Sequence, residues 1–484
     1  MPIIYWFRND LRLHDNEGFA QAVAQGDSVL PVFIIDPRSF AEDPELGFRK
    51  AGVFRVRFLF EALADLRRRL QERGGDLLIR VGNVAEVLAD LAREYGASAV
   101  YAGKEITQDD VAMEAEVNRQ LAALNVPVQY FWMLSLYHPD DLPFVADAIP
   151  DSYRDFRRGC ERESSVRPEV AEPRYVGLPT GVDPGLLPTL AQFGYEDVVQ
   201  DPRAAIHHVG GETAALDRLA AYFWERDGLK SYKFTRNNLL GEDYSSKFSA
   251  WLAYGCLSPR RVYWQVKQYE KERVKNVSTY WLVFELIWRD YFRFITAKYG
   301  SRIFFPSGPR RVKTAHWQRD KALFWQWANG QTGVPFIDAN MRELNLTGYQ
   351  SNRGRQNVAS HLLNDLGVLW TWGAAYLESL LIDYDPCSNW GNWNLVAKVS
   401  ADPRMDRYFN VYTQARKYDP KGEYVSRWLP ELANVPPGHL HLISLTDPAT
   451  LAEAGVTLGE TYPLALFDVS KWTRRKAKSV GQRA

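Results

Sequence analysis

The chain has 484 residues, of which 46% are hydrophobic and 24% charged, with Lys+Arg and Asp+Glu equal at 59 each. That length exceeds one ordinary core and predicts two or three domains, while zero formal net charge argues against a broadly basic nucleic-acid coat without excluding a local groove. Only Cys160, Cys256 and Cys387 are present, which excludes a disulfide framework and offers no zinc cluster.

In chain order, short β-branched or aromatic runs alternate with helical patterns: "PIIYWF" then "NEGFAQAVAQG", "VLPVFIID" then "FRVRFLFEALADLRRRLQERG", "DLLIRV" then "NVAEVLADLAREYG", "AVYAG" then "DDVAMEAEVNRQLAAL", and finally "VPVQYFW". This rhythm predicts an α/β domain with a parallel sheet over 1–135. No G-x-G-x-x-G follows the first run, so the dinucleotide fingerprint is missing. The opening "MPIIYWFRNDLRLHD" turns charged too early for a secretory signal, and no apolar run is long enough to span a membrane; an intracellular, cytoplasmic chain is expected. Residues 136–204, rich in Pro, Asp and Gly, read as a connector, and 205–470 as a second, all-helical domain. Residues 471–484, "KWTRRKAKSVGQRA", read as a basic solvated tail.

Polar chemistry gathers at four places in the helical half. In "DYSSKFSAW", the hydroxyls of Ser245, Ser246 and Ser249 beside Lys247 precede a helical run whose orphan N–H groups suit a phosphate, although Ser before a helix is also an ordinary cap. "FELIWRDYFRF" sets Glu285, Trp288 and Arg289 on one side of a helix, as a site or as a surface Glu–Arg pair beside a core indole. "SNRGRQNVASHL" carries Asn352, Arg353, Arg355 and Gln356, and Arg355 is expected to pair bidentately with Asp383 or Asp385. "IDYDPCSNWGNWN" crowds those acids with Asn389, Asn392 and Asn394 around two indoles; a tight turn closing a core explains the residue types, but burying so many polar groups is costly unless each finds a partner. Amides in such numbers suit the edge of a flat heterocycle.

Together with "WFRNDLRLHDN", "TGVPFIDANMREL" and "YDPKGEYVSRWLPEL", these stretches resemble the photolyase and cryptochrome family, specifically its DASH branch, in order over nearly the whole chain. The resemblance implies an antenna domain, a connector and a helical domain binding a U-shaped FAD. By motif, Tyr232 and Ser245, Ser246, Lys247, Phe248 and Ser249 would hold the FAD phosphates and ribityl region, Arg355 and Asp383 would flank the flavin as a salt bridge, Asp385 would bond its polar edge, and Asn389 would face N5. Trp393, Trp370 and Trp317 match the photoreduction chain from the flavin outward. Glu285 and Asn352 would bond a lesion, Trp288 would stack on it, and Gln356 stands where other photolyases carry methionine. Leu395 departs from the pattern, since other photolyases have Trp and DASH relatives Tyr there, so one aromatic wall is missing. Glu105 matches the DASH position for a 5,10-methenyltetrahydrofolate antenna, with a deazaflavin or an empty cleft left open.

The implied function is light-driven repair of cyclobutane pyrimidine dimers in single-stranded or unpaired DNA, by a monomer. The alternative is a blue-light receptor or DNA-binding regulator. About fifty residues follow "RWLPEL", too few for the usual receptor extension, which favours the enzyme.

Overall fold

The computed structural model describes residues 1–313 and 317–473, so most of the expected basic tail lies outside the described residues. The five predicted strands, β1 (Ile3–Phe7), β2 (Val29–Ile35), β3 (Leu78–Val81), β4 (Ala99–Gly103) and β5 (Val128–Phe131), form one parallel sheet in the order β3-β2-β1-β4-β5. Between them run α1 (Glu17–Gln25), α2 (Val53–Gln71), α3 (Val84–Tyr95) and α4 (Gln108–Ala122). The central strands β1 and β4 are buried along their whole length, as helices on both faces require. Local chemistry sets the ends of these helices. Asn16 caps α1 by accepting from the Phe19 N–H, Asn83 caps α3, and Gly96 closes α3 in a left-handed conformation.

The connector contains α5 (Tyr153–Glu163) and then runs back along the sheet edge, where Ile79 donates to the Pro184 carbonyl and Val29 to that of Gly177. The helical half follows as α6 (Glu212–Ala220), α7 (Tyr232–Thr235), α8 (Ser249–Ala253), α9 (Pro259–Glu272), α10 (Val277–Tyr299), α11 (Lys321–Ala328), α12 (Pro335–Thr347), α13 (Asn352–Ser360), α14 (Trp370–Leu380) and α15 (Pro386–Val396), with four shorter helices up to Glu453. An Asn276 capping box starts α10, the longest of these, which packs on α5, α7, α9 and α15.

The loop after β1 joins the two halves. Arg12 donates to the Gly255 carbonyl at 2.9 Å, and Asp15 pairs with Arg260 through contacts of 2.6 and 2.9 Å. Glu212, at the start of α6, accepts from the backbone N–H groups of Leu13 and His14 and pairs with the His14 ring and with Arg69. Burial pushes the Glu212 carboxyl up, but His14, Arg69 and the backbone donors outweigh it and bring its pKa to about 2. A depressed carboxylate pKa stabilises the fold above its unfolded value and ceases to do so as pH falls through its folded value. Glu212→Gln is therefore expected to cost about 3 kcal/mol near neutral pH, a difference that shrinks as pH falls from the ordinary glutamate range towards 2. Denaturant unfolding of both proteins across that window checks this; a difference that does not depend on pH would refute it.

Candidate flavin and lesion site

Asp385 caps α15 by accepting from the Ser388 N–H at 2.7 Å, and Pro386 occupies the first helical turn. The helical period then places Ser388, Asn389, Asn392, Trp393 and Val396 on one face. That face, with Asn352, Arg355 and Gln356 from α13 and with Asp383, Leu395 and Arg407, lines a single pocket. Of the residues expected at the flavin edge and lesion, the pocket thus gathers Asn352, Arg355, Gln356, Asp383, Asp385, Asn389, Trp393 and Leu395. Asn394 does not join them. It is buried on the opposite face, donating to the carbonyls of Ile303 and Trp390, so this amide ties the helix to its neighbours.

Arg355 contacts Asp383 at 2.8 Å through one nitrogen and uses its Nε on the Gln350 carbonyl. The pair is thus formed, but singly rather than bidentately. Burial raises the Asp383 carboxyl; Arg355 and the Ser249 hydroxyl overcome this and hold it below the ordinary value, while its second oxygen is buried without a partner. Asp385, expected at the polar edge of the flavin, has protein partners on both oxygens: the Ser388 N–H and the Arg293 guanidinium. Asn389 donates its amide nitrogen to the Ala374 carbonyl at 3.0 Å, which leaves its oxygen as the group for a ligand.

The Ser245–Ser249 segment is held from behind by Arg218, which donates to the Ser245 and Ser246 carbonyls at 3.1 and 3.0 Å. Lys247 takes a left-handed φ of 61° and buries its ammonium between the Tyr244 and Tyr349 rings, 3.3 and 4.7 Å from their centroids, without a hydrogen-bond partner. Burial pushes its pKa well down, so an anion at this place would relieve a real cost. The Tyr349 ring also faces Arg355 at 5.7 Å, joining this segment to the pocket. Phe248 is buried in the core, and Tyr232 is buried beside Arg236.

The expected lesion end lies on α10. Glu285 does not pair with Arg289, as a surface pair on one helix face would require; it pairs with Arg236 at 2.6 Å, and burial raises its pKa against the pull of Arg236. Arg289 turns inward to the Leu134 and Leu252 carbonyls. One face of Trp288 is stacked on Tyr153 at 3.6 Å, and the Arg407 guanidinium stands 5.7 Å from its ring. Arg236, Tyr153 and Arg407 had no signal in the sequence, because each reaches the site across a long sequence separation.

Trp393 lies over Gly373, where an added Cβ would come within 2.4 Å of the indole, so the close approach requires glycine. Trp370 is fully buried, donates to the Pro306 carbonyl and meets Trp390 edge-on at 5.8 Å. Trp317 is half-buried and precedes Gln318, whose backbone exchanges hydrogen bonds with Gly367 and Leu369 just before Trp370. Exposure thus rises towards the Trp317 end. Glu105 is buried after β4, accepts from Asn9 at 3.0 Å, and has its pKa raised to about 7 by burial and the nearby Asp110, against Arg8 and Arg293. It is not a solvent-facing acid.

Two family profiles match this chain: "DNA photolyase" over residues 3–174 and "FAD binding domain of DNA photolyase" over 281–482. The chain therefore belongs to the photolyase and cryptochrome family, and its helical half is an FAD-binding domain. Within the family it falls in the DASH branch. It is 50% identical over 467 residues to a cryptochrome DASH of Gloeobacter violaceus, covering 96% of this chain and 93% of the relative, and 46% identical over 475 residues to that of Xenopus laevis, covering 98% and 91%. Among solved structures, a Synechocystis cryptochrome superposes with a TM-score of 0.94 at 44% identity, covering 99% of this chain and 98% of that one. A class III photolyase of Agrobacterium tumefaciens gives 0.83 at 29%, covering 99% and 97%. The residues fit the cofactor: in the pocket the Asp383 and Asn389 oxygens suit the N–H groups of a heterocycle, and outside its lining, across Tyr349, the partnerless buried Lys247 ammonium suits a diphosphate. No helix among the described residues is long and apolar enough to cross a membrane.

Proposed function

We propose that this chain repairs cyclobutane pyrimidine dimers in light, preferring single-stranded or unpaired DNA, as a cytoplasmic monomer. The observation that carries the reading is that Asn352 and Gln356 of α13 line one pocket with the flavin-edge face of α15, and that Arg407 on the same wall stands 5.7 Å from the Trp288 ring of α10 and interacts electrostatically with Glu285. Bound in this domain, reduced FAD would supply the photoexcited electron needed to open the cyclobutane ring, with no net redox change once that electron returned. The protein's task is to hold the dimer and exclude water. Glu285, held by Arg236, and the Asn352 amide can hydrogen-bond the polar edge of a dimer, and the Trp288 ring, backed by Tyr153, can meet a base. The Asn389 oxygen would be the group offered to the flavin, and Arg355 with Asp383 would hold its polar edge.

Leu395 supports the strand preference. A base on an aromatic wall gains about 1–3 kcal/mol, comparable with the few kcal/mol needed to extrude a base from duplex. With an aliphatic wall at Leu395, that work is best avoided by a substrate already unpaired. Buried Glu105, near neutrality and able to donate or accept, suits the pterin edge of 5,10-methenyltetrahydrofolate as antenna.

Trp393, Trp370 and Trp317 would carry an electron inward to reduce the bound cofactor, with the half-buried Trp317 at the outer end. Trp317→Phe keeps most of the packing and removes a readily oxidised ring. The variant is expected to bind FAD normally and photoreduce several-fold more slowly, yet to repair a dimer at the parent rate once its flavin has been reduced chemically. Unchanged photoreduction would place the route elsewhere, and absence of repair with reduced flavin in both proteins would favour the receptor reading.

A further inference from the structure

Phe234 is 71% exposed and Tyr280 38% exposed. A lone exposed ring means little. These belong to a continuous series of rings and cations. The Lys233 ammonium lies 6.0 Å from the Phe234 ring and 4.5 Å from that of Trp281. Trp281 stacks on Phe284 at 4.7 Å, and the Arg157 guanidinium stands 5.5 Å from Phe284. Phe284 meets Tyr153 edge-on at 5.2 Å, and Tyr153, itself buried, stacks on Trp288, whose ring Arg407 of the pocket approaches at 5.7 Å. The series is anchored: the Lys233 N–H donates to the Ser278 hydroxyl, and Asn276 donates to the Lys230 carbonyl, fixing α7 on the first turn of α10.

We propose that this surface, from Phe234 and Tyr280 to Trp288, is a stacking track for the single-stranded nucleotides that flank the lesion. Alternating rings and cations are what a flexible strand needs, since every base has a face to stack and every phosphate a charge to meet. Arg157 is partly neutralised by Glu161, whereas Lys233 makes no ion pair among the described residues and stays available to a phosphate. Buried Tyr153 ties the exposed and half-buried rings to Trp288, and Arg236, two residues after Phe234, pairs with Glu285. Duplex DNA keeps its bases stacked on one another and cannot use the rings, so the surface selects single strands independently of Leu395. The inference rests on the repair reading for its ligand, and the test separates the two.

The FAD-loaded protein is titrated with an isolated thymine-dimer dinucleotide and with the same dimer flanked by thymidines on both sides, and repair of each in light is recorded. Phe234→Ala with Tyr280→Ala is expected to weaken the flanked substrate about tenfold, the size of one stacked base, and to leave the dinucleotide unchanged. Phe234→Trp should restore or tighten binding, and unaltered FAD absorbance and unfolding temperature confirm that the variants fold. Equal binding of the flanked substrate by parent and double variant would overturn the track and leave the surface to a protein partner. Equal weakening of the bare dinucleotide would overturn it too, by moving these rings into the lesion pocket. Flank-dependent binding that the double variant loses, without light-driven repair by the parent, would uphold the track and reject the repair reading.

Discussion

Asp383→Ala is expected to lose most bound FAD and to destabilise the helical half by about 3–5 kcal/mol, the usual cost of stranding one partner of a buried ion pair. The reason is geometric. Asp383 is buried, Arg355 contacts it at 2.8 Å through one terminal nitrogen, and the Nε of that guanidinium is committed to the Gln350 carbonyl. Removing the carboxylate leaves a cation facing Lys247 across the Tyr349 ring, with no counter-charge from Asp383. Adding Arg355→Leu should recover part of the stability but not the FAD, because the second change removes the stranded charge without restoring the flavin edge. Thermal unfolding and the flavin content of gel-filtered protein read the two effects separately. Full flavin content in Asp383→Ala would show that the pair does not border the ring.

Glu285→Ala is expected to lower repair about 10- to 100-fold, the value of a hydrogen bond involving a charged or strongly polarised group, while the FAD spectrum stays essentially unchanged. Glu285 is positioned for the lesion rather than for the cofactor phosphates, which belong with Lys247 and the Ser245–Ser249 segment. Arg236 complicates the simple deletion because the alanine variant frees that guanidinium as well. Glu285→Gln keeps a hydrogen-bonding group of the same shape and should recover part of the loss. Repair at the parent rate in the alanine variant would remove Glu285 from the site.

The α/β half was legible because strand and helix periods alternate cleanly and the caps Asn16 and Asn83 stand at the predicted starts. The face of α15 was legible for a related reason: so many amides and acids in an apolar setting demand partners, and Asn389 and Asp383 do face the pocket. Asn394 was misjudged because composition does not say which side of a helix a residue occupies until its start at Asp385 is known. The partners of the charged groups were illegible. Arg293 for Asp385, Arg236 for Glu285 and Arg218 behind the Ser245–Ser249 segment are choices made by tertiary packing, and any of 59 Lys and Arg residues could have supplied them. The interdomain role of "RLHDN" was hidden likewise, since Glu212 and Arg260 come from far along the chain.

The central claim is tested most directly by repair with chemically reduced flavin, in light and in the dark, on a thymine dimer in a single-stranded oligonucleotide, in an unpaired loop and in matched duplex. Light-dependent repair of the first two with little repair of the third is the predicted result. Equal repair of matched duplex would contradict the strand preference, and no repair of any substrate by protein carrying fully reduced FAD would contradict the enzyme.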